Sequence, residues 1–335
     1  MQKKSLCLNS FLLSSIILVF IIGLATPNAF AAPGGYVHKT TFDKGCSSGI
    51  GVGVAFDGTH LWYSCYSSPT DLYRADALTG VVDKSYSIVG GLGALAYDSA
   101  NNVIYAGPGS GSNNPCTVLK ITLDGSKEVT GSSVKFTNSN VCTSLDDGLA
   151  YDGTDDTFYF SNDSSQTIFH ISATGVDLDS FTWNGSGCGN SGLAIGGNQL
   201  FEGSNGCNHV WVVNKVSKAA IFNFPTNVVP GDSGFRDEDL ECDTTTFSST
   251  GKQVMWSMEA YEPRRAAAFE IQPNTCGQGG LPPTSGVVGG EILPIDSTAL
   301  LIAGAQANSY SILAALSFVG AIAFGSIYLV SKRKI

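Results

Sequence analysis

The sequence predicts an all-β fold, a five-bladed β-propeller closed into a ring by an N-terminal strand, followed by a C-terminal transmembrane helix. Three observations carry this. First, Gly53-Val54-Ala55-Phe56-Asp57 returns as Ala94-Leu95-Ala96-Tyr97-Asp98 and Gly148-Leu149-Ala150-Tyr151-Asp152. It returns more altered as Gly192-Leu193-Ala194-Ile195-Gly196 and Asp239-Leu240-Glu241-Cys242-Asp243. The motif ends at 57, 98, 152, 196 and 243, at intervals of 41, 54, 44 and 47 residues, the size of one supersecondary unit. Second, each copy opens a series of short β-rich runs separated by Gly, Asn, Asp and Ser turns. Third, no helical period of useful length occurs outside the two ends of the chain.

The elements follow in order. Residues 35–42, containing Tyr36-Val37-His38, read as a spare strand ahead of the first repeat. In the third repeat, strands are expected at Gly148–Asp152, Thr157–Ser161, Thr167–Ser172 and residues 177–183. Second strands show an aromatic followed by a small residue: Tyr63-Ser64, Tyr105-Ala106, Phe160-Ser161 and Trp256-Ser257. The fifth repeat has strands near 239–243, 254–257 and 266–271, and then turns to Gly and Pro over 277–283 without a fourth. The spare N-terminal strand would complete it and leave no open sheet edge. A sixth blade would have to hide in the 54-residue interval.

The ends carry targeting signals. Lys3 and Lys4, an apolar run over residues 11–24 and Ala29-Phe30-Ala31 read as a signal peptide over 1–31, with an uncleaved anchor as the alternative. The propeller occupies 32–276 and a Gly/Pro-containing stalk 277–308. A transmembrane helix over 309–331 contains the uncharged run 312–330, long enough to cross a bilayer. Lys332, Arg333 and Lys334, in the tail 332–335, place the C-terminus in the cytoplasm and the propeller outside. The stretch from Gly289-Gly290-Glu291-Ile292-Leu293-Pro294 through Leu300-Leu301-Ile302-Ala303-Gly304 resembles the C-terminal anchor of archaeal cell-surface proteins.

The ends hold five of the 18 basic residues and no acidic ones, so the exported part carries 28 acids against 13 bases. That charge repels phosphate backbones and argues against nucleic-acid partners. Cys7 leaves with the signal, and eight cysteines remain, an even number that favours disulfides in an exported chain. Their places in the repeat suggest Cys46–Cys65, Cys116–Cys142 and Cys188–Cys207, leaving Cys242 and Cys276 as the fourth pair. No C-x-x-C knuckle or Cys/His cluster supports a zinc site. Asn162 and Asn184 begin sequons and would be glycosylation sites outside the cell.

In a propeller, the loops leading into first strands and those joining second to third strands share one face. There, blade three brings Asp146 and Asp147, and blade five brings Arg236-Asp237-Glu238-Asp239, with Glu241 in the alanine position. Asp146, Asp147, Glu238, Asp239, Glu241 and Glu259 form a candidate set of oxygen ligands for a calcium-type ion in the funnel. Solvated loop acids, with Arg236 and Arg265 as partners, are the simpler alternative. Asp57, Asp98 and Asp152 read as turn formers, and His170 as a solvent-facing strand residue.

Blade five, from Asp239-Leu240-Glu241 through Trp256-Ser257-Met258-Glu259 to Phe269-Glu270-Ile271, resembles blades of phytase-like and gluconolactonase-like propellers. More broadly, the Gly-Leu-Ala-Tyr-Asp strands are similar to those of the NHL and lactonase-type group. The resemblance implies funnel carboxylates holding a divalent ion, although this chain lacks the full acidic set. No G-x-S-x-G elbow, Walker loop or H-E-x-x-H occurs. The sequence therefore favours an extracellular binding module for a glycan, a peptide or a neighbouring envelope protein, anchored by one membrane span. A Ca²⁺-dependent hydrolase or lactonase is the first alternative, and a structural envelope protein the second.

Overall fold

The computed structural model describes residues 33–276, apart from 48, 68–71, 89–90, 111–115, 143–146, 162, 186, 233 and 274. The readings of residues 1–31 and 277–335, and those on Asp146 and Asn162, lie outside the described residues. Among the described residues, no helix is long and apolar enough to cross a membrane.

Five antiparallel four-stranded sheets make the ring. Blade one is β2 (Val54–Phe56), β3 (His60–Ser64), β4 (Leu72–Asp76) and β5 (Val82–Tyr86). Blade two is β6 (Leu92–Asp98), β7 (Val103–Pro108), β8 (Thr117–Leu123) and β9 (Val129–Thr137). Blade three is β10 (Gly148–Asp152), β11 (Thr157–Ser161), β12 (Thr167–Ser172) and β13 (Asp177–Thr182). Blade four is β14 (Gly189–Gly196), β15 (Gln199–Asn205), β16 (His209–Asn214) and β17 (Ala220–Pro225). Blade five takes β18 (Leu240–Asp243), β19 (Gln253–Met258) and β20 (Arg265–Ile271) from one end of the ring, and β1 (Tyr36–Thr41) from the other.

The spare strand closes the ring as expected, with Thr41 opposite Arg265 and Tyr36 opposite Phe269. Among the described residues, the long second interval holds no sixth blade. It is taken up partly by a long β8–β9 hairpin and a short 3-10 turn at Ser139–Val141. All four expected disulfides are present: Cys46–Cys65, Cys116–Cys142, Cys188–Cys207 and Cys242–Cys276.

The core is a set of wedges between neighbouring blades, and one register produces all five. The alanine position of each first strand stands opposite an aromatic on the second: Ala55–Trp62, Ala96–Tyr105, Ala150–Tyr159 and Ala194–Phe201. Blade five substitutes Glu241, opposite Trp256. Each of these rings is buried and packs toward the next blade. This corrects the sequence alignment, which had put Tyr63 and Phe160 in the slot of Tyr105 and Trp256. Their neighbours Trp62 and Tyr159 fill it, because a one-residue shift on a strand moves a side chain to the opposite sheet face.

The aspartate that ends the motif is a turn former with a second duty. Asp57 accepts the Thr59 and His60 N–H groups, each at 2.8 Å, and the Trp62 Nε1–H at 2.8 Å. Asp243 likewise accepts from Thr245, Thr246 and Trp256 Nε1. Asp98 accepts from Ala100, Asn101 and the Tyr105 hydroxyl. In blade four the ring is Phe201, which has no donor, and the aspartate is replaced by Gly196. His170 is only partly exposed, because its ring stacks on Tyr159 at 4.4 Å.

Candidate functional site

On the face that carries the loops leading into the first strands, three carboxylates from two blades converge. Asp147 directly precedes β10, Asp163 follows β11, and Glu238 lies just ahead of β18. One oxygen from each lies within 4.8 Å of the others. Asp147 and Glu238 are 2% and 4% exposed, and Asp163 is half-buried.

Two glycines allow this closeness. A Cβ on Gly148 would stand 2.0 Å from the Ser191 carbonyl oxygen, and one on Gly189 1.9 Å from that of Asp163. Blade four thereby presses against the loop that carries Asp163, and the Asn190 N–H donates to the Ser165 carbonyl at 3.0 Å. Neutral donors hold Asp163 and Glu238 in place. Asn205 Nδ2 donates to Asp163 Oδ2 at 3.1 Å and to Glu238 Oε1 at 3.4 Å, and Ser191 Oγ donates to Glu238 Oε2 at 3.1 Å.

Burial pushes the Asp163 carboxyl up, against the Asn205 hydrogen bond and the charge of Arg236. Burial also raises Glu238, and the neighbouring charges of Asp163 and Glu259 add to it. The Arg236 guanidinium stacks over the exposed Tyr261 ring at 4.6 Å.

The six acids singled out in the sequence separate into groups. Asp146 is outside the described residues, while Asp147 and Glu238 meet at the trio. Asp239 reaches instead to two other blades, where its Oδ2 accepts the Val54 N–H at 3.0 Å and the Leu95 N–H at 2.8 Å. Glu241 Oε2 accepts the Tyr97 N–H at 3.2 Å, and its Oε1 the Cys242 N–H at 2.9 Å. The channel-side edge of an inner strand has no ladder partner for its N–H groups, and these two acids supply acceptors. Glu241 also lines a small cleft beside Ala96, Ala150 and Ala194. Glu259 accepts the Arg236 N–H at 2.7 Å and pairs with Arg265 at 3.5 Å.

Three residues of this region escaped the sequence reading. Asp163 stands inside a glycosylation triplet, and Asn190 and Asn205 are uncharged residues outside every motif of the sequence. The available signal was positional: Asp163 and Asn205 follow the buried serines Ser161 and Ser204 at the same end of their second strands. A further acid pair lies deeper. Glu202 and Asp237 are fully buried, and burial pushes each carboxyl up to about 8. Asp237 accepts from the Thr226 and Ser257 hydroxyls at 2.7 Å each, and Glu202 from Ser204.

No family model matches the chain, and no curated protein matches it. Solved structures do show similarity. The glutaminyl cyclase of Myxococcus xanthus is 10% identical, with 72% of this chain and 100% of that one covered, at a TM-score of 0.46. The WD40 repeats of RRP9 are 12% identical over 52% of this chain and 46% of that one, at a TM-score of 0.32. Saccharomyces cerevisiae Sqt1 is 11% identical over 64% and 56%, at 0.33. The chain thus spans about half the length of the last two. At these identities and scores the similarity carries nothing about activity.

Proposed function

We propose that the protein is an extracellular interaction module, held at the cell membrane by residues 309–331, with its loop-bearing face as the binding surface. One observation carries this reading: three of the four disulfides lie on that face. Cys46–Cys65 and Cys188–Cys207 each tie the loop ahead of a first strand to the end of the second strand in the same blade. Cys116–Cys142 ties a loop of blade two to the approach to blade three. Loops fixed before contact lose less entropy on binding. Arg236 and the exposed Tyr261, on the same face, are side chains suited to anchoring a glycan, a peptide or an envelope protein.

The hydrolase or lactonase alternative, like the phytase-like and gluconolactonase-like resemblance behind it, asks for carboxylates open to the funnel. Asp239, Glu241 and Glu259 instead accept backbone N–H groups, which favours the binding reading.

The test uses full-length protein in detergent, immobilised and exposed to fractionated envelope glycans and proteins. A component should be retained, and the double variant Arg236→Ala/Tyr261→Ala should hold it at least about tenfold more weakly, as for a binding hot spot. Val216→Ser, in a turn on the opposite face, should change nothing. Equal retention by all three proteins, or none by the wild type, would overturn the reading. Protease added to intact cells should release the propeller, and resistance would count against the topology.

A further inference from the structure

We propose that Asp147, Asp163 and Glu238 bind a calcium-type divalent cation, with the Asn190 side-chain amide as a neutral oxygen ligand. The site lies on the face assigned above to partner binding, but it stands without that reading.

The geometry of the trio fits an ion. Oxygens around Ca²⁺ lie about 2.3–2.6 Å from the metal, so two ligands of one ion are separated by about 5 Å at most. The three carboxylates meet that limit. Carboxylates this close repel one another unless a proton or another positive charge stands between them. The hydrogen-bond donors at Asp163 and Glu238 are the neutral Asn205 and Ser191, while Arg236 is stacked on Tyr261.

A second observation points the same way. Asn190 is fully buried, yet neither its Oδ1 nor its Nδ2 has a hydrogen-bond partner. Leaving buried polar atoms unpaired is costly. Along β14, Ser191 turns its hydroxyl to Glu238 of blade five. Across β15, Asn190 stands opposite Ser204, whose hydroxyl bonds Glu202, and Glu202 stands opposite Leu193 of the cluster shared with blade three; Asn190 is therefore on the face toward blade three, which carries Asp147 and Asp163. The buried Oδ1 of Asp163 also lacks a partner. An ion at this point would satisfy these oxygens together.

The donor set selects the class of metal. It is all oxygen, three carboxylates and an amide, with no His or Cys in the group. Hard oxygen donors suit Ca²⁺ and not zinc. The ligands come from blades three, four and five, so the ion would tie three blades at one point.

The test uses full-length protein in detergent, stripped with EDTA and titrated with Ca²⁺, Mg²⁺ or Zn²⁺ alone. Calorimetry should give one Ca²⁺ per chain, and Ca²⁺ should raise the melting temperature. Asp147→Asn and Glu238→Gln should each weaken binding at least about tenfold, since affinity in oxygen sites follows ligand charge. The double variant should lose the Ca²⁺ shift while melting, without metal, at or above the stripped wild type, because repulsion is relieved. Absence of heat and of a melting shift in the wild type, a shift kept by the double variant, or a response to Zn²⁺ but not Ca²⁺ would overturn the proposal. Envelope retention measured with and without EDTA keeps the two readings apart: retention without any Ca²⁺ response sinks only the ion site, and a Ca²⁺ response without retention sinks only the partner.

Discussion

Removing the carboxylate of Asp239 should loosen two blades to which it does not belong. Its Oδ2 accepts the N–H of Val54 in blade one and of Leu95 in blade two, and the residue is completely buried. Asp239→Ala leaves both amides without an acceptor, where no strand can supply one. A buried donor stripped of its partner costs about 1–3 kcal/mol, so the variant should lose roughly 2–6 kcal/mol. Burial raises the Asp239 carboxyl well above the ordinary range. Asn resembles that neutral form and keeps an oxygen for both N–H groups. Asp239→Asn should therefore cost no more than about 1 kcal/mol, a single hydrogen bond's worth. For a domain of this size each kcal/mol moves the melting temperature by about 2–4 °C. Urea and thermal unfolding of the oxidised protein, followed by tryptophan fluorescence, would measure both variants. An alanine variant within about 1 kcal/mol of wild type, or an asparagine variant as unstable as alanine, would refute the assignment.

Other expectations follow from the same contacts. Glu202 and Asp237 have folded values of about 8, against roughly 4 unfolded. The native state therefore binds more protons between those values, and stability should fall as pH rises from about 4 to about 8, by on the order of 5 kcal/mol per group. Denaturant midpoints in EDTA would show it; Glu202→Gln/Asp237→Asn should flatten the slope, and a flat wild-type profile would refute the reading. Trp62→Phe removes the indole donor from Asp57 Oδ2, which keeps His60 Nδ1 as a partner, and should cost about 0.5–1.5 kcal/mol in urea unfolding, whereas Phe201→Leu removes no hydrogen bond and should show only a packing loss. Cys46→Ser/Cys65→Ser opens a loop of 19 residues and should cost about 3 kcal/mol by denatured-state entropy, measured against the wild type under non-reducing conditions.

Much of the ring could be read from the chain because each blade repeats its constraints locally. The alanine position, the motif-ending aspartate and the paired cysteines recur at similar spacing, and closure follows from a missing fourth strand matched to a spare first one. The second-strand aromatic was misplaced in blades one and three because adjacent aromatics, Trp62-Tyr63 and Tyr159-Phe160, offer two registers to a pattern. Only cross-strand pairing decides between them. The site was half visible. Asp147 and Glu238 stood out as acids at the approaches to first strands, whereas Asp163 and Asn190 matter through contacts between blades, which no single repeat encodes. Asp239 and Glu241 carried the strongest signal in the sequence, as acids where small residues recur. Their surroundings show why: they serve amides across the channel.

The Cys242–Cys276 bridge gives the ring a particular answer to mechanical pull. Cys276 lies five residues beyond the end of β20, and its sulfur is joined to β18, the innermost strand of blade five. Tension applied beyond this point passes covalently to the centre of the ring, without first drawing on β20 or its pairing with the closing strand β1. Peeling the blade from its free end, the easiest way to open a ring closed by non-covalent pairing, is therefore blocked until the sulfurs are reduced. Under shear the oxidised propeller should fail as a whole and at higher force, and the reduced one strand by strand.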